Sequence, residues 1–167
     1  MGIDAMALNI GVDPFTDQQL DYAYQSAANL GFKVFISFDF NWWHPNNATQ
    51  MGQTIALYAN RTAQLMYNNA AFVSTFSGDG LDPAVVRSSA GVPIFFVPNF
   101  HPGQSNFTGI DGAFNWLGWP SNGNNKAPTP GANVTVEAGD AQYIAALAGK
   151  PYMARTYHPS SLVSVLT

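Results

Sequence analysis

Asp39 is the side chain on which chemistry is most readily built. It lies in the run FKVFISFDFNWWH (residues 32–44), and Asn41, Trp42 and Trp43 follow within four positions. A carboxylate moves protons or holds a hydroxyl, a side-chain amide both donates and accepts, and an indole offers a flat apolar face. The same set recurs where other apolar runs end: Asn9 near the end of IDAMALNI, Asn99 and His101 after PIFFV, and Trp116 and Trp119 in GAFNWLGW. Together these groups suit a sugar, because amides bond hydroxyls in pairs and indole faces stack on the C–H faces of pyranose rings. A plainer role is open to each. Asp39 equally well caps the next segment or ties down a loop, and Trp116 and Trp119 equally well pack a core.

Other chemistries find less support. His44, His101 and His158 all follow strand ends, and a metal cluster with Asp39 is one arrangement they allow. Each adjoins a proline in a polar loop, where ordinary loop histidines account for them, so no metal or cofactor is expected. The chain has no Walker loop, GxGxxG or HExxH. The GxSxG elbow is broken at its last position by Gly103-Gln104-Ser105-Asn106-Phe107.

Only 10% of the residues are charged and 14% are aromatic, against about 25% charged in ordinary soluble domains. Asn, Gln, Ser, Thr and Gly must therefore carry the surface. A net charge of -4 with no basic cluster gives no footprint for a nucleic-acid backbone. No apolar stretch approaches the roughly 18 residues a membrane span needs, so neither partner is expected. Zero cysteines exclude a disulfide framework, a thiolate metal site and a cysteine nucleophile. Sequons at Asn47, Asn60, Asn106 and Asn133 point towards secretion and glycosylation.

The elements that position these residues alternate between strand and helix. Ile3 to Ile10 reads as a buried strand, and Thr16 to Leu30 as a helix capped by the Thr16 hydroxyl and stopped at Gly31. Its inward stripe is Leu20, Ala23, Tyr24, Ala27 and Ala28. The run from Phe32 is too continuously apolar for a half-exposed strand and fits a parallel strand covered on both faces. Phe35, Ser37 and Asp39 share one face, and Val34, Ile36 and Phe38 the other. Gln50 to Asn68 reads as a helix with Ile55, Tyr58, Leu65 and Met66 inward. Further strands are expected at Ala71 to Phe76, Pro93 to Val97, Gly112 to Trp119 and Pro151 to Arg155. Asp82-Pro83 starts a short helix through Arg87, and Glu137 to Ala148 forms the last one. The segment 120–133, rich in Pro, Gly and Asn, is a long loop.

About six strands with intervening helices make a single α/β domain. An open parallel sheet of this size would leave two bare edges, which points to a barrel lacking its ends. At 167 residues the chain is short for a barrel of roughly 250. It enters an apolar strand directly after Met1, with no signal peptide, so a truncated chain is expected.

Six blocks carry a family resemblance: GIDAMALNIG (2–11), FKVFISFDFNWW (32–43), FVSTFSGD (72–79), PIFFVPNFHPGQ (93–104), GAFNWLGWPSNGNNKAPTPG (112–131) and ALAGKPYM (146–153). In this order they resemble glycoside hydrolase family 71, the fungal α-1,3-glucanases or mutanases. The resemblance implies a (β/α)8 TIM-type barrel, here incomplete. It also implies an extracellular or cell-wall location and inverting endo-hydrolysis of α-1,3-glucan, a polysaccharide substrate. It places Asp39 in the acidic position of the S-F-D motif, with Asn41, Trp42 and Trp43 on the glycone side. It divides the chain into a partial barrel, 1–153, and a divergent tail, 154–167. The W-N-D-Y-G-E segment that supplies the family's further acids is absent.

Inversion needs one acid to protonate the leaving oxygen and one carboxylate to activate water, about 6.5–9.5 Å apart. Asp39 fills one role. Asp79 and Asp82 flank a turn, Asp111 precedes a strand, and Glu137 and Asp140 belong to a helix start. The expectation is a weak or inactive part of a glucanase. The alternative is a non-catalytic glycan-binding remnant that keeps the Trp and Asn surface.

Overall fold

The computed structural model describes residues 3–120 and 134–154. The elements are β1 (Ala5–Ile10), α1 (Thr16–Asn29), β2 (Lys33–Asp39), α2 (Ala48–Tyr58), β3 (Met66–Tyr67), β4 (Ala70–Phe76), α3 (Pro83–Ala90), β5 (Ile94–Pro98), β6 (Ala113–Asn115), α4 (Val136–Leu147) and β7 (Tyr152–Ala154). Strands β1, β2, β4 and β5 lie side by side in chain order, all parallel. The short β3 runs antiparallel on β4, and β6 and β7 form a separate parallel pair.

Period-two alternation divides the sheet between two environments. Ile10, Val34, Ile36, Phe38, Ala71, Val73, Ile94 and Phe96 share a buried cluster with Leu20, Tyr24 and Ala27 of α1, Met51, Ile55 and Tyr58 of α2, and Val86 and Ala90 of α3. These helices therefore cover one face. The opposite face, carrying Ala7, Phe35, Ser37 and Ser74, lines a cavity. Helices on one side of sequentially ordered parallel strands are what a barrel wall requires. The fold is thus mixed α/β with parallel strands, as expected. Among the described residues β1 bonds only β2, and β5 forms no ladder with β6.

Several element expectations are corrected. The helix predicted over Gln50 to Asn68 ends at Tyr58. Asn68 and Asn69 both have positive φ, 49° and 60°, the pattern of a two-residue hairpin turn between β3 and β4. Upstream, the Val34 N–H donates to Ala63 O at 2.9 Å, Leu65 N–H to Val34 O at 2.8 Å and Phe72 N–H to Leu65 O at 2.9 Å. Residues 63–65 thus wedge between β2 and β4, and these distant partners outcompete the helical pattern. Met66 is 47% exposed instead of facing inward.

Helix α1 starts at Thr16 without a side-chain cap. The chain enters it through a turn in which Thr16 N–H donates to Asp13 O at 3.0 Å. Strand β1, expected to be buried, keeps only Ile10 in the core, with Met6 57% exposed, because β2 is its sole described neighbour. Strand β6 stops at Asn115, whose Oδ1 accepts from Leu117 N at 3.0 Å and turns the chain. Asp82 does cap its helix, accepting from Ala84 N at 2.9 Å. Positive φ at Gly31 follows α1 as anticipated, and Gly149 after α4 also has positive φ. Most of the long loop (121–133) and the tail beyond residue 154 lie outside the described residues.

Candidate active site

Asp39 sits at the C-terminal end of β2, the end at which barrels gather their chemistry. Its Oδ2 accepts from Asn9 Nδ2 and its Oδ1 from the Asn41 N–H, each at 2.9 Å. The Asp39 carbonyl also receives the N–H groups of Trp42 at 3.0 Å and Trp43 at 2.9 Å. The two roles left open by the sequence therefore coincide: the carboxylate ties its own loop and faces a cavity. Asn9 reaches it from the next strand, where it pairs in register with Ser37. An ionised carboxylate offers about four lone-pair sites, so two donors hold its orientation and leave room for a ligand.

The cavity measures about 430 Å³ and is lined by Asn9, Asp39 and Asn41 at the polar end. Phe76, Phe114 and Trp116 form an aromatic wall. Trp116 meets Phe76 at 5.1 Å and Phe114 at 5.9 Å between ring centroids, both edge-on. Deeper in the sheet, Ser37 and Ser74 are small enough to leave open space. The Phe35–Phe72 contact at 4.8 Å and the Phe72–Phe95 contact at 6.0 Å lie below them, towards the strand N-termini. Asp39 is the only carboxylate lining this cavity among the described residues.

The remaining predicted site residues are dispersed. Trp42 is 63% exposed, and its ring lies against Gly11, where an added Cβ would stand 3.3 Å from Trp42 Cδ1. Trp43 points to the helix side and is buried. Its Nε1–H is shared between Ile10 O and Gly11 O at 3.1 Å, and its ring meets Phe38 edge-on at 5.0 Å.

Asn99 is also buried. Its Nδ2 donates to Phe114 O at 2.8 Å and to the Tyr143 hydroxyl oxygen at 3.1 Å, and its Oδ1 accepts from Ser77 N. It thereby ties the turn after β4 to β6 and α4. His101 pairs with Asp79. Trp119 is half-buried outside the cavity lining.

Asn60 and Asn106 are exposed. Asn47 is half-buried and accepts from His44 N at 2.9 Å. Asn133 and His158 lie outside the described residues. Among the described residues no three His, Asp or Glu side chains are grouped to hold a metal ion.

Sequence reasoning missed Ser74, Phe76, Phe114 and Met153 as cavity residues. Alternation in AFVSTF would have placed Ser74 and Phe76 on one face. No local signal joins Phe114 and Met153, which meet only through the pairing of β6 with β7. Asp79 does flank a turn, and beyond that it accepts from Ser105 Oγ and twice from His101. Burial pushes its carboxyl upward, but the hydrogen bonds from His101 and Ser105 outweigh that and hold it below its ordinary value.

Comparison with known proteins adds a second line. The sequence profile of the family described as Glycosyl hydrolase family 71 matches residues 1–161. A mutanase of Penicillium rubens is 42% identical over 159 residues, covering 92% of this chain and 35% of that protein. A glucan endo-1,3-alpha-glucosidase of Schizosaccharomyces pombe is 34% identical over 139 residues, covering 72% of this chain and 32% of that protein. The chain therefore spans about a third of the length of these curated relatives. No solved structure matches it significantly.

Proposed function

Because the chain belongs to glycosyl hydrolase family 71, we propose that it forms the Asp39 side of a cleft that hydrolyses the α-1,3-glucosidic bonds of glucan. The cleft acts within the polymer and with inversion. The observation that carries this reading is the carboxylate held by Asn9 and Asn41 at a strand end, in a cavity walled by Trp116, Phe76 and Phe114. Asp39 supplies one of the two proton-transfer groups that inversion requires. Asn9 and Asn41 aim it, and the aromatic wall receives the apolar face of a glucosyl ring. A polymeric cell-wall substrate sets the working place of such a protein outside the cell.

The one carboxylate that lines the cavity among the described residues is half of the required pair. Losing one general acid or base typically costs about 10²–10⁴ in rate, so we propose that the 167-residue chain by itself hydrolyses glucan weakly or not at all. The test is made on a chimera in which this chain replaces the matching third of the Penicillium rubens mutanase, comparing its sugar release from insoluble α-1,3-glucan with that of the same chimera carrying Asp39→Asn. Release that falls by about 10²–10⁴ in the variant is expected, and equal release by both removes Asp39 from the mechanism. A second reading, a non-catalytic glycan-binding unit, is favoured by that same lone carboxylate together with the exposed Trp42. It predicts retention on the polymer without sugar release, and a chain that washes off eliminates it.

A further inference from the structure

A second tight cluster of polar side chains lies outside the Asp39 cavity. Asp79, in the turn after β4, accepts three hydrogen bonds: from the His101 backbone N–H at 2.8 Å, from Ser105 Oγ at 2.5 Å and from the His101 ring at 2.6 Å. The hydrogen bonds keep Asp79 ionised near neutral pH against the opposing effect of burial, and an ionised carboxylate only accepts. The proton in the 2.6 Å contact therefore resides on His101 Nδ1. In the neutral ring, that leaves Nε2 as an acceptor.

Among the described residues no hydrogen bond engages Nε2, and the His101 side chain is 32% exposed. The cluster contains Ser, His and Asp, but it is not a nucleophile relay, because Ser105 Oγ bonds Asp79 and not the imidazole. It is not part of a metal cluster among the described residues either.

Placement gives this idle nitrogen a use. Strands β2, β4 and β5 are parallel, so Asp39, Asp79 and His101 all lie at their C-terminal ends. Asp39 pairs in register with Phe76, and Asp79 follows three residues later.

We propose that His101 is a glucan-binding residue at the rim of the cleft. Its Nε2 accepts a hydrogen bond from a sugar hydroxyl of the chain that leaves the Asp39 cavity. Asp79 is its positioning residue, fixing tautomer and ring orientation, and Ser105 and the His101 backbone fix Asp79 in turn. This inference rests on reading the cavity as a glucan site.

The test separates the two nitrogens. His101→Asn places an amide nitrogen where Nδ1 stood, keeping the bond to Asp79 while deleting Nε2. Binding of a soluble α-1,3-linked gluco-oligosaccharide is measured by calorimetry on the full chain, with the melting temperature recorded alongside. The expected result is an affinity about fivefold weaker, the worth of one neutral hydrogen bond, with little change in melting temperature.

Unchanged affinity in His101→Asn overturns the proposal and leaves the pair as a loop clamp. If the wild-type chain does not bind the oligosaccharide, the glucan reading fails and this inference with it. A measurement that needs no variant is the ¹⁵N shift of His101 Nε2 in the wild-type chain. It moves on titration with the oligosaccharide if the hydroxyl is bound there, and a static resonance counts against the idea.

Discussion

Gly52 lies inside α2 at its crossing with α3, and its replacement by alanine sets two opposing effects against each other. An alanine in a helix interior is favoured over glycine by about 1 kcal/mol. At this position the added Cβ would stand 2.5 Å from Val86 O, 2.6 Å from Ser89 Cβ and 2.8 Å from Ala90 N. Comfortable contacts begin near 3.5 Å, so the helices must part by roughly 1 Å, a gap that forfeits a quarter to a half of each contact across it. None of the three obstructing atoms belongs to the far end of a flexible side chain. Buried Met51, Ile55, Val86 and Ala90 share this seam.

Overpacking of this kind costs about 1–3 kcal/mol, and backbone obstruction puts Gly52→Ala at or above the upper end. After subtraction of the propensity gain, a net loss of about 2 kcal/mol remains, or roughly 4–8 °C in melting temperature for a chain of this size. Gly139 in α4 is the control, because its Cβ would meet nothing nearer than 3.8 Å. Gly139→Ala should keep the propensity gain and stabilise by about 0.5–1 kcal/mol. Urea unfolding followed by circular dichroism reads both midpoints. A Gly52→Ala midpoint equal to or above wild type would refute the close-crossing argument. The crossing matters for the site because α2 follows the Asp39 loop and α3 follows the Asp79 turn.

Two further outcomes are expected. The depressed Asp79 carboxyl contributes stability that is present above its unfolded value, near 3.8, and is lost as the pH falls through the lower folded value. The stability gap between wild type and Asp79→Asn should therefore hold steady down to about pH 4 and shrink below it; a constant gap down to about pH 2 excludes this linkage. Trp43→Phe deprives the Ile10 and Gly11 carbonyls of their shared donor, a loss of about 1–3 kcal/mol, while leaving oligosaccharide affinity unchanged. Weaker binding at undiminished stability would place Trp43 in the cleft.

What the order of residues determined alone was whatever depends on near neighbours. The apolar run ending at Asp39 announced a strand buried on both faces, and its alternation already divided Ser37 and Asp39 from Val34, Ile36 and Phe38. Asp82-Pro83 announced a capped helix, and the six family blocks pointed to the family that the profile match confirms. These signals are local because side-chain direction repeats every two residues in a strand and every 3.6 in a helix.

Only the tertiary structure decided which distant groups would satisfy one another. Residues 63–65 left the helical pattern because β2 and β4 offered them backbone partners. Trp43 turned to the helix side once both its N–H and that of Trp42 bonded the Asp39 carbonyl, since alternation carries no instruction past a strand's end. Asn99 became a buried tie among three elements, and Asp79 became the anchor of His101, 22 residues away. A hydrogen-bond donor carries no mark of its acceptor in the chain; the fold assigns the pair when burial removes water as the alternative.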